Sequence, residues 1–204
     1  MRGEPIFKAI FGADWDRLPI VMKKHYANRP NSSDVVTVKG ALTIRLSWFY
    51  RLLSPLLKIS KTLVPVNGEN VPTMVHFRSE PRSNAFCFDR HIHMPGVAPL
   101  HFFSRMVPAG GDEMIEHTGI GLAWHCRFRF DGKRVLLEHL GYVTHIFGRR
   151  IRLPLEWVLG KGGAWEEAVS DDTFAMYIEI RHFLLGRLYT YSGSFTVVEM
   201  ALDD

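Results

Sequence analysis

The sequence predicts a mostly β protein of the α+β class: an antiparallel curved sheet or barrel of about nine strands, with N-terminal amphipathic helices packed on it. Three observations favour this fold. Apolar residues recur at helical spacing mainly within residues 5–62, apolar and polar residues alternate over much of residues 71–200, and glycine or proline lies in nearly every gap. Because 204 residues can form one substantial core, a single domain over residues 1–204 is expected.

Two short amphipathic helices are predicted near the N terminus. The first follows Pro5 and ends at Gly12, and the second follows Asp16 and ends at about Ala27. Their apolar residues are Ile6, Phe7, Ile10 and Phe11 in the first helix, and Leu18, Val21, Met22 and Tyr26 in the second. The next stretch, VVTVKGALTIRL, alternates with a period of two and predicts a half-buried strand, with Gly40 as a candidate bulge.

A third helix is predicted in SWFYRLLSPLLKISK, with Pro55 bending or breaking it. One face is apolar (Phe49, Leu52, Leu53, Leu56 and Leu57), and the other is basic (Arg51, Lys58 and Lys61). The cations and the proline exclude a membrane span, which needs about 20 mostly apolar residues. The helix either lies on a lipid surface or packs on the protein's own sheet. We favour packing, because helices that bind lipid surfaces usually have a longer basic face.

Strands are predicted in eight further stretches, with turn residues between them. They lie near residues 71–79, 84–94, 99–107, 112–118, 121–130, 133–147, 173–182 and 188–200. The Asp-Gly pair at 131–132 is typical of a tight hairpin turn. After it, Pro154 is expected to open a short helix that ends at Gly160 and is followed by a long glycine-containing loop. Consecutive short strands joined by turns indicate antiparallel pairing.

Composition narrows the functional classes. The net charge of +4 is mildly basic and suits an anionic membrane surface, nucleic acid or an acidic protein. Aromatic and cationic residues alternate onto opposite faces of LAWHCRFRF, which fits an apolar interior better than a stacking platform for nucleic acid. No cofactor is predicted, because GKGGAW lacks the phosphate-loop pattern. Nucleophilic catalysis by serine is also disfavoured, because no Gly-x-Ser-x-Gly motif is present.

The two cysteines and the first residues bear on the cellular compartment. Cys87 and Cys126 are far apart and outside any Cys-x-x-Cys motif, so buried, reduced thiols are expected rather than a disulfide framework. The first fifteen residues lack the apolar run of a signal peptide. Both observations favour a cytoplasmic location.

The stretch FCFDRHIHM contains the strongest catalytic or metal-binding candidates, Asp89, His91 and His93, which share one face of the predicted strand. Two histidines in this spacing can bind a metal, and the carboxylate can be a ligand or orient a ring. A catalytic metal usually needs a third protein ligand, and the candidates are His101, Glu116, His117, His125 and Glu138. A polar strand surface without a metal is the favoured interpretation.

The ending FLLGRLYTYSGSFTV resembles the family called domain of unknown function 4166, through Gly186, Leu188, Tyr191 and Gly193. FDRHIH resembles a second segment of that family, although Phe88 stands where tryptophan is expected. MIEHTGIGLAW, with Glu116 and Gly119, and RLPLEWVLG, with Leu153 and Pro154, resemble two more. The family has no established activity to carry over. The resemblance implies an oxidoreductase as a possible partner, because some members look fused to dehydrogenase-like domains.

Three functions follow as hypotheses. The leading one is a domain that binds an apolar or amphipathic small molecule in a barrel-like cavity, with Arg90 meeting a carboxylate or phosphate head. The expected ligand-binding residues are Phe86, Phe88, Arg90, Phe102, Glu116, Trp124, Phe128 and Tyr191. The second is an enzyme that uses Asp89, His91 and His93 with or without a metal, and the third is an accessory domain of an oxidoreductase. Membrane binding is less favoured, and nucleic-acid binding is disfavoured.

Overall fold

A computed structural model describes residues 3–55, 57, 63–94, 96, 98–119 and 121–203. The helices are α1 (Ile6–Phe11), a 3-10 helix (Gly12–Arg17), α2 (Ile20–His25), α3 (Trp48–Leu52) and α4 (Glu156–Leu159). The strands are β1 (Val35–Leu46), β2 (Gly68–Ser79), β3 (Phe86–Ile92), β4 (Leu100–Gly110), β5 (Glu113–His117), β6 (Ala123–Phe130), β7 (Arg134–Ile146), β8 (Arg149–Leu153), β9 (Lys161–Ala168), β10 (Thr173–His182) and β11 (Gly186–Ala201).

Ten of these strands form a closed antiparallel barrel. Strands β1 to β7 pair in chain order, β7 then pairs with β9, and β10 and β11 complete the ring back to β1. β8 pairs with the second half of β7 alone. Closure satisfies the edge hydrogen bonds that an open sheet would expose. The prediction of a mostly β antiparallel barrel with N-terminal helices is confirmed.

Two strands lie outside the predicted set. β9 occupies the stretch predicted as a loop and pairs with β10 on one side and β7 on the other. Its small residues have low strand propensity, and the hydrogen-bonded strands on both sides hold it in the sheet. β8 follows β7 through a tight turn at Phe147 and Gly148, both with positive φ.

Gly40 is not at a bulge. The register of β1 shifts at Thr37/Val38 against β11 and at Leu42/Ile44 against β2. A Cβ on Gly40 would lie 2.0 Å from the Ser194 carbonyl oxygen, so the glycine permits close approach of the neighbouring strand.

The N-terminal helices close one end of the barrel, called the plug end below. Phe7 of α1 lies centrally: its ring centroid is 4.3 Å from that of Tyr26, 5.0 Å from that of Phe86 and 5.1 Å from that of Phe128. These aromatic contacts join the helices to three different parts of the chain and form the core of the plug.

The other end of the barrel is called the mouth end. Here β1 leads directly into α3, and the Ser47 amide donates a hydrogen bond of 2.8 Å to the Leu188 carbonyl. The third predicted helix begins as α3 and is interrupted at Leu53, after which Ser54, Pro55 and Leu57 are again helical. Its apolar face was wrong at one position: Tyr50 is buried, whereas Leu52 is 71% exposed. The predicted contributions of Leu56, Lys58 and Lys61 lie outside the described residues.

None of the described helices combines the length and the apolar composition needed to cross a membrane.

Candidate functional site

The barrel interior contains two adjoining spaces on the mouth side of the plug. An outer chamber of about 130 Å³ lies below α3 and α4, with Tyr50, Phe102, Tyr142 and Tyr189 in its wall. An inner chamber of about 50 Å³ extends towards the plug end, and His25 of α2 and Glu166 of β9 are in its wall. A polar group shared by both walls, Arg90, Glu116, Trp124 and Tyr191, lies where they meet.

The tyrosines of the outer chamber have their hydroxyl groups satisfied by the protein. Tyr50 donates to the Leu159 carbonyl over 2.7 Å, and Tyr142 donates to the Gly160 carbonyl over 3.1 Å. Burial raises the pKa of both phenols well above its usual range, so both remain neutral donors. These rings therefore present mainly apolar surface to the chamber, while their hydroxyls fix α4 and the start of β9 against the barrel.

Arg90 is the charged centre of the interior. Its Nη1 donates to Ser104 Oγ over 2.8 Å, Ser104 donates to Glu116 Oε1 over 2.6 Å, and Arg90 Nη2 is 3.5 Å from that same oxygen. The side chains of Arg90 and Glu116 are 11% and 13% exposed. The guanidinium also lies over the rings of Phe88 and Phe102. Each charge thus has a charged or hydrogen-bonding partner inside an apolar wall.

The inner chamber has its own polar group. Glu166 accepts a short hydrogen bond from the Tyr26 hydroxyl, and its Oε2 is 3.4 Å from His25 Nε2. Burial acts to raise the Glu166 pKa, but His25, Tyr26 and Arg90 outweigh it and hold the pKa below its usual range. His25 is 1% exposed, and its Nδ1 has no hydrogen-bond partner among the described residues. A buried polar atom of this kind indicates a missing partner.

Seven of the eight predicted ligand-binding residues lie in the chamber walls: Phe88, Arg90, Phe102, Glu116, Trp124, Phe128 and Tyr191. The eighth, Phe86, is fully buried and supports the wall through Phe7, Phe77 and Phe88. Sequence reasoning missed His25, Glu166 and Tyr189. A histidine beside Val21 and Met22 on an apolar helix face was the available signal for His25, and Tyr189 shares its strand face with Tyr191.

The catalytic and metal candidates lie on the outer wall of the barrel. Asp89 accepts a hydrogen bond from His101 Nε2, and His91 Nε2 is 3.1 Å from Asp89 Oδ1. His91 and His101 face each other across β3 and β4. His93 is not in this group, because β3 ends at Ile92 and the alternation of side chains along the strand therefore stops before His93. None of the three sequence candidates is among the residues that line the two chambers.

Both cysteines are free and buried. Burial, reinforced by Glu80, raises the pKa of Cys87 to about 12, and burial raises that of Cys126 well above its usual range. Neither thiol has the depressed pKa of a catalytic nucleophile.

Comparison with known proteins places the chain in a family. The model of the family described as Domain of unknown function (DUF4166) matches residues 18–195. The chain belongs to this family. No curated protein matches the sequence significantly.

Two solved structures are similar to this chain. Rv2717c from M. tuberculosis is 9% identical, with 83% of this chain and 94% of that chain covered and a TM-score of 0.42. The S-type phycobiliprotein lyase CPES from Guillardia theta is also 9% identical, with 92% and 96% covered and a TM-score of 0.35.

The segments that resemble DUF4166 meet inside the barrel. Arg90, Glu116 and Tyr191 come from β3, β5 and β11, and all three line both chambers. Gly193 allows close strand approach, since a Cβ there would lie 2.3 Å from the Ala41 carbonyl oxygen. Gly186, the first residue of β11, has φ of 68° where the chain leaves the preceding turn. The segments thus combine an internal polar cluster with backbone positions that shape the barrel.

Proposed function

We propose that this chain binds a small, mostly apolar and uncharged molecule inside the barrel. The observation that carries the proposal is the pair of apolar-walled chambers with the unpaired Nδ1 of His25 in the inner wall. A hydroxyl or carbonyl group on a ligand can supply the missing hydrogen bond, while the ligand's apolar body fills the outer chamber.

The internal charges favour an uncharged ligand. The sequence suggested that Arg90 would meet a carboxylate or phosphate, but Arg90 is already engaged by Glu116 and Ser104. Glu166 places a second carboxylate in the inner chamber. An anionic head group would therefore lie between two buried carboxylates, and like charges at short range in a low-dielectric interior repel strongly. We therefore propose a ligand without an anionic head group.

The size of the space limits the ligand. An apolar cavity of about 150 Å³ is enough to bind benzene. The outer chamber, at about 130 Å³, therefore suits a single ring or a short alkyl chain, and the inner chamber has room for one polar substituent. The ligand class that fits is a small phenol, alcohol or ketone.

Filling the inner chamber tests this proposal. Ala164 of β9 lies in the wall of the inner chamber. Ala175 of β10 lines neither chamber, because its side chain is on the strand face opposite that of Phe174 and Met176. We expect Ala164→Leu to weaken binding of 1-hexanol, measured by isothermal titration calorimetry, by about tenfold or more, which corresponds to about 1.4 kcal/mol. Ala175→Leu makes the same change outside and should leave the affinity unchanged. Equal hexanol affinity for both variants would refute the proposed site.

A divalent metal site is the second candidate function, because the structure replaces His93 with a better placed residue. The ligand atoms of Asp89, His91 and His101 all lie within 4.8 Å of one another. Two imidazoles and a carboxylate suit Zn²⁺, and the exposed position leaves room for a water ligand. His76 lies beside them on β2, with its ring centroid 5.6 Å from that of His91.

A histidine exchange distinguishes this site from the one suggested by sequence. We expect His101→Asn to weaken Zn²⁺ binding by about tenfold or more, whereas His93→Asn should leave it unchanged. Calorimetric titration with ZnCl₂ measures both effects. A loss on His93→Asn that equals the loss on His101→Asn would contradict this ligand set.

We further propose a cytoplasmic location, which the two free thiols support, since thiols stay reduced in that compartment. An accessory role beside an oxidoreductase stays a prediction of the family resemblance.

A further inference from the structure

The mouth end exposes large apolar side chains on four segments. They are Trp48 and Leu52 of α3, Phe147 of the β7–β8 turn, Trp157 of α4, and Phe183 and Leu184 of the β10–β11 turn, and each is at least 64% exposed. We call these six residues the mouth rim. Single exposed apolar residues are ordinary, but a group of this size on one end of a soluble domain marks an interaction surface.

Hydrogen bonds and ring contacts hold these segments together around the outer chamber. Tyr50 links α3 to the last residue of α4, and the rings of Trp157 and Phe183 are 5.0 Å apart. Tyr142 links β7 to Gly160 just after α4, and β7 continues from there to its turn at Phe147. Tyr50, Tyr142 and Leu159 also line the outer chamber. The mouth rim therefore borders the cavity rather than a distant surface.

The charges at the mouth end are mostly positive. Residues 140–155 contain Arg149, Arg150 and Arg152 but no aspartate or glutamate. Arg51 and Lys161 are exposed on the neighbouring segments. Three acids are near, but Glu69 is paired with Arg45, Glu156 is paired with Arg152, and Glu179 is within 4 Å of two arginines. The plug end carries charges of both signs, because Asp14 is paired with Arg17 and Asp172 with Lys24, while Asp16 and Asp171 are exposed.

We propose that the mouth rim docks on the surface of an anionic lipid bilayer. Tryptophan and phenylalanine partition into the interfacial region, leucine enters the acyl boundary, and arginine pairs with lipid phosphates. Basic side chains lie around the mouth rim, whereas the plug end carries charges of both signs, so the charge distribution also orients the protein. Both alternatives considered for this helix, packing on the sheet and binding a lipid surface, fit α3. Tyr50 packs on the barrel, and Trp48 and Leu52 project outwards.

Docking would place the outer chamber beside the membrane, so that an apolar ligand could enter from the bilayer. This consequence rests on the proposed ligand function, whereas docking itself does not.

Flotation with lipid vesicles tests the docking. Wild-type protein should bind vesicles of phosphatidylcholine mixed with phosphatidylglycerol, bind phosphatidylcholine alone much less, and dissociate as salt is raised. We expect the double variant Phe147→Ser, Trp157→Ser to lose about tenfold or more in bound fraction, because both side chains would otherwise leave water on docking. Phe103→Ser is the matched control, since Phe103 is 45% exposed on β4 at the barrel side, and it should bind as wild type does.

Equal binding to both kinds of vesicle, or equal loss in Phe103→Ser and the double variant, would overturn the proposal. Absence of vesicle binding combined with self-association in sedimentation would assign the mouth rim to a second copy of the chain instead. The two proposals fail separately: the double variant should retain the hexanol affinity of wild type, and Ala164→Leu should retain vesicle binding.

Discussion

Replacing Arg90 with methionine is expected to lower the free energy of unfolding by about 3–5 kcal/mol, the range seen when one partner of a buried ion pair is removed. The substitution leaves Glu116 13% exposed and without its cationic partner, and Ser104 loses the guanidinium donor. Methionine is apolar and flexible enough to fill the space between Phe88 and Phe102, so lost volume contributes little. Urea unfolding near neutral pH measures the effect.

Two further variants separate the buried charge from a general effect of losing arginine. Adding Glu116→Gln to Arg90→Met removes the uncompensated charge and should recover a large part of the loss. Arg105→Met changes an arginine that is 40% exposed and paired with Glu80 on the outer face of β4, so we expect a loss of about 0–1 kcal/mol. A loss of that small size for Arg90→Met would show that the pair does not stabilise the interior.

The barrel was predictable because each strand carries a local signal. In β6, Trp124, Cys126 and Phe128 alternate with His125 and Arg127, and the structure turns the first set inwards. β9 was not predicted, because Gly162 and Gly163 have low strand propensity. The strand is held by its pairings with β7 and β10, which a single-sequence pattern does not contain.

The candidate site was predictable to the extent that it follows strand faces. Phe88 and Arg90 share a face by periodicity, and so they line the interior together. Which strands lie side by side is a property of topology, so the sequence could not select His101 over His93 as the neighbour of His91. His25 was hidden for the same reason, because only the packing of α2 into the barrel brings it to Glu166.

Asp34 joins the plug to the barrel, and its replacement by asparagine is the other change expected to have a large effect. The buried carboxylate accepts two hydrogen bonds from the Arg29 guanidinium and further ones from the amides of Arg29 and Asp203. Asn28 and Ser79 bind the Asp34 carbonyl. This cluster fixes the chain directly after α2, which carries His25 and Tyr26 into the inner chamber. We expect Asp34→Asn to lower the free energy of unfolding by about 3 kcal/mol at neutral pH.

The pH dependence identifies the carboxylate charge as the cause. Burial acts to raise the Asp34 pKa, but the hydrogen bonds from Arg29 and Asp203 lower it from 3.8 to about 2. A depressed pKa stabilises the folded state above the unfolded-state value, and that contribution is lost as pH falls through the folded-state value. The shift contributes about 2 kcal/mol at neutral pH, of which roughly half is lost by about pH 3. Urea unfolding should therefore give a smaller difference in unfolding free energy between wild type and Asp34→Asn at about pH 3 than at neutral pH. Asp172→Asn, which alters an exposed pair with Lys24, should show a small difference at both. If the difference in unfolding free energy between wild type and Asp34→Asn stays constant with pH, hydrogen-bond geometry, and not the carboxylate charge, holds the plug in place.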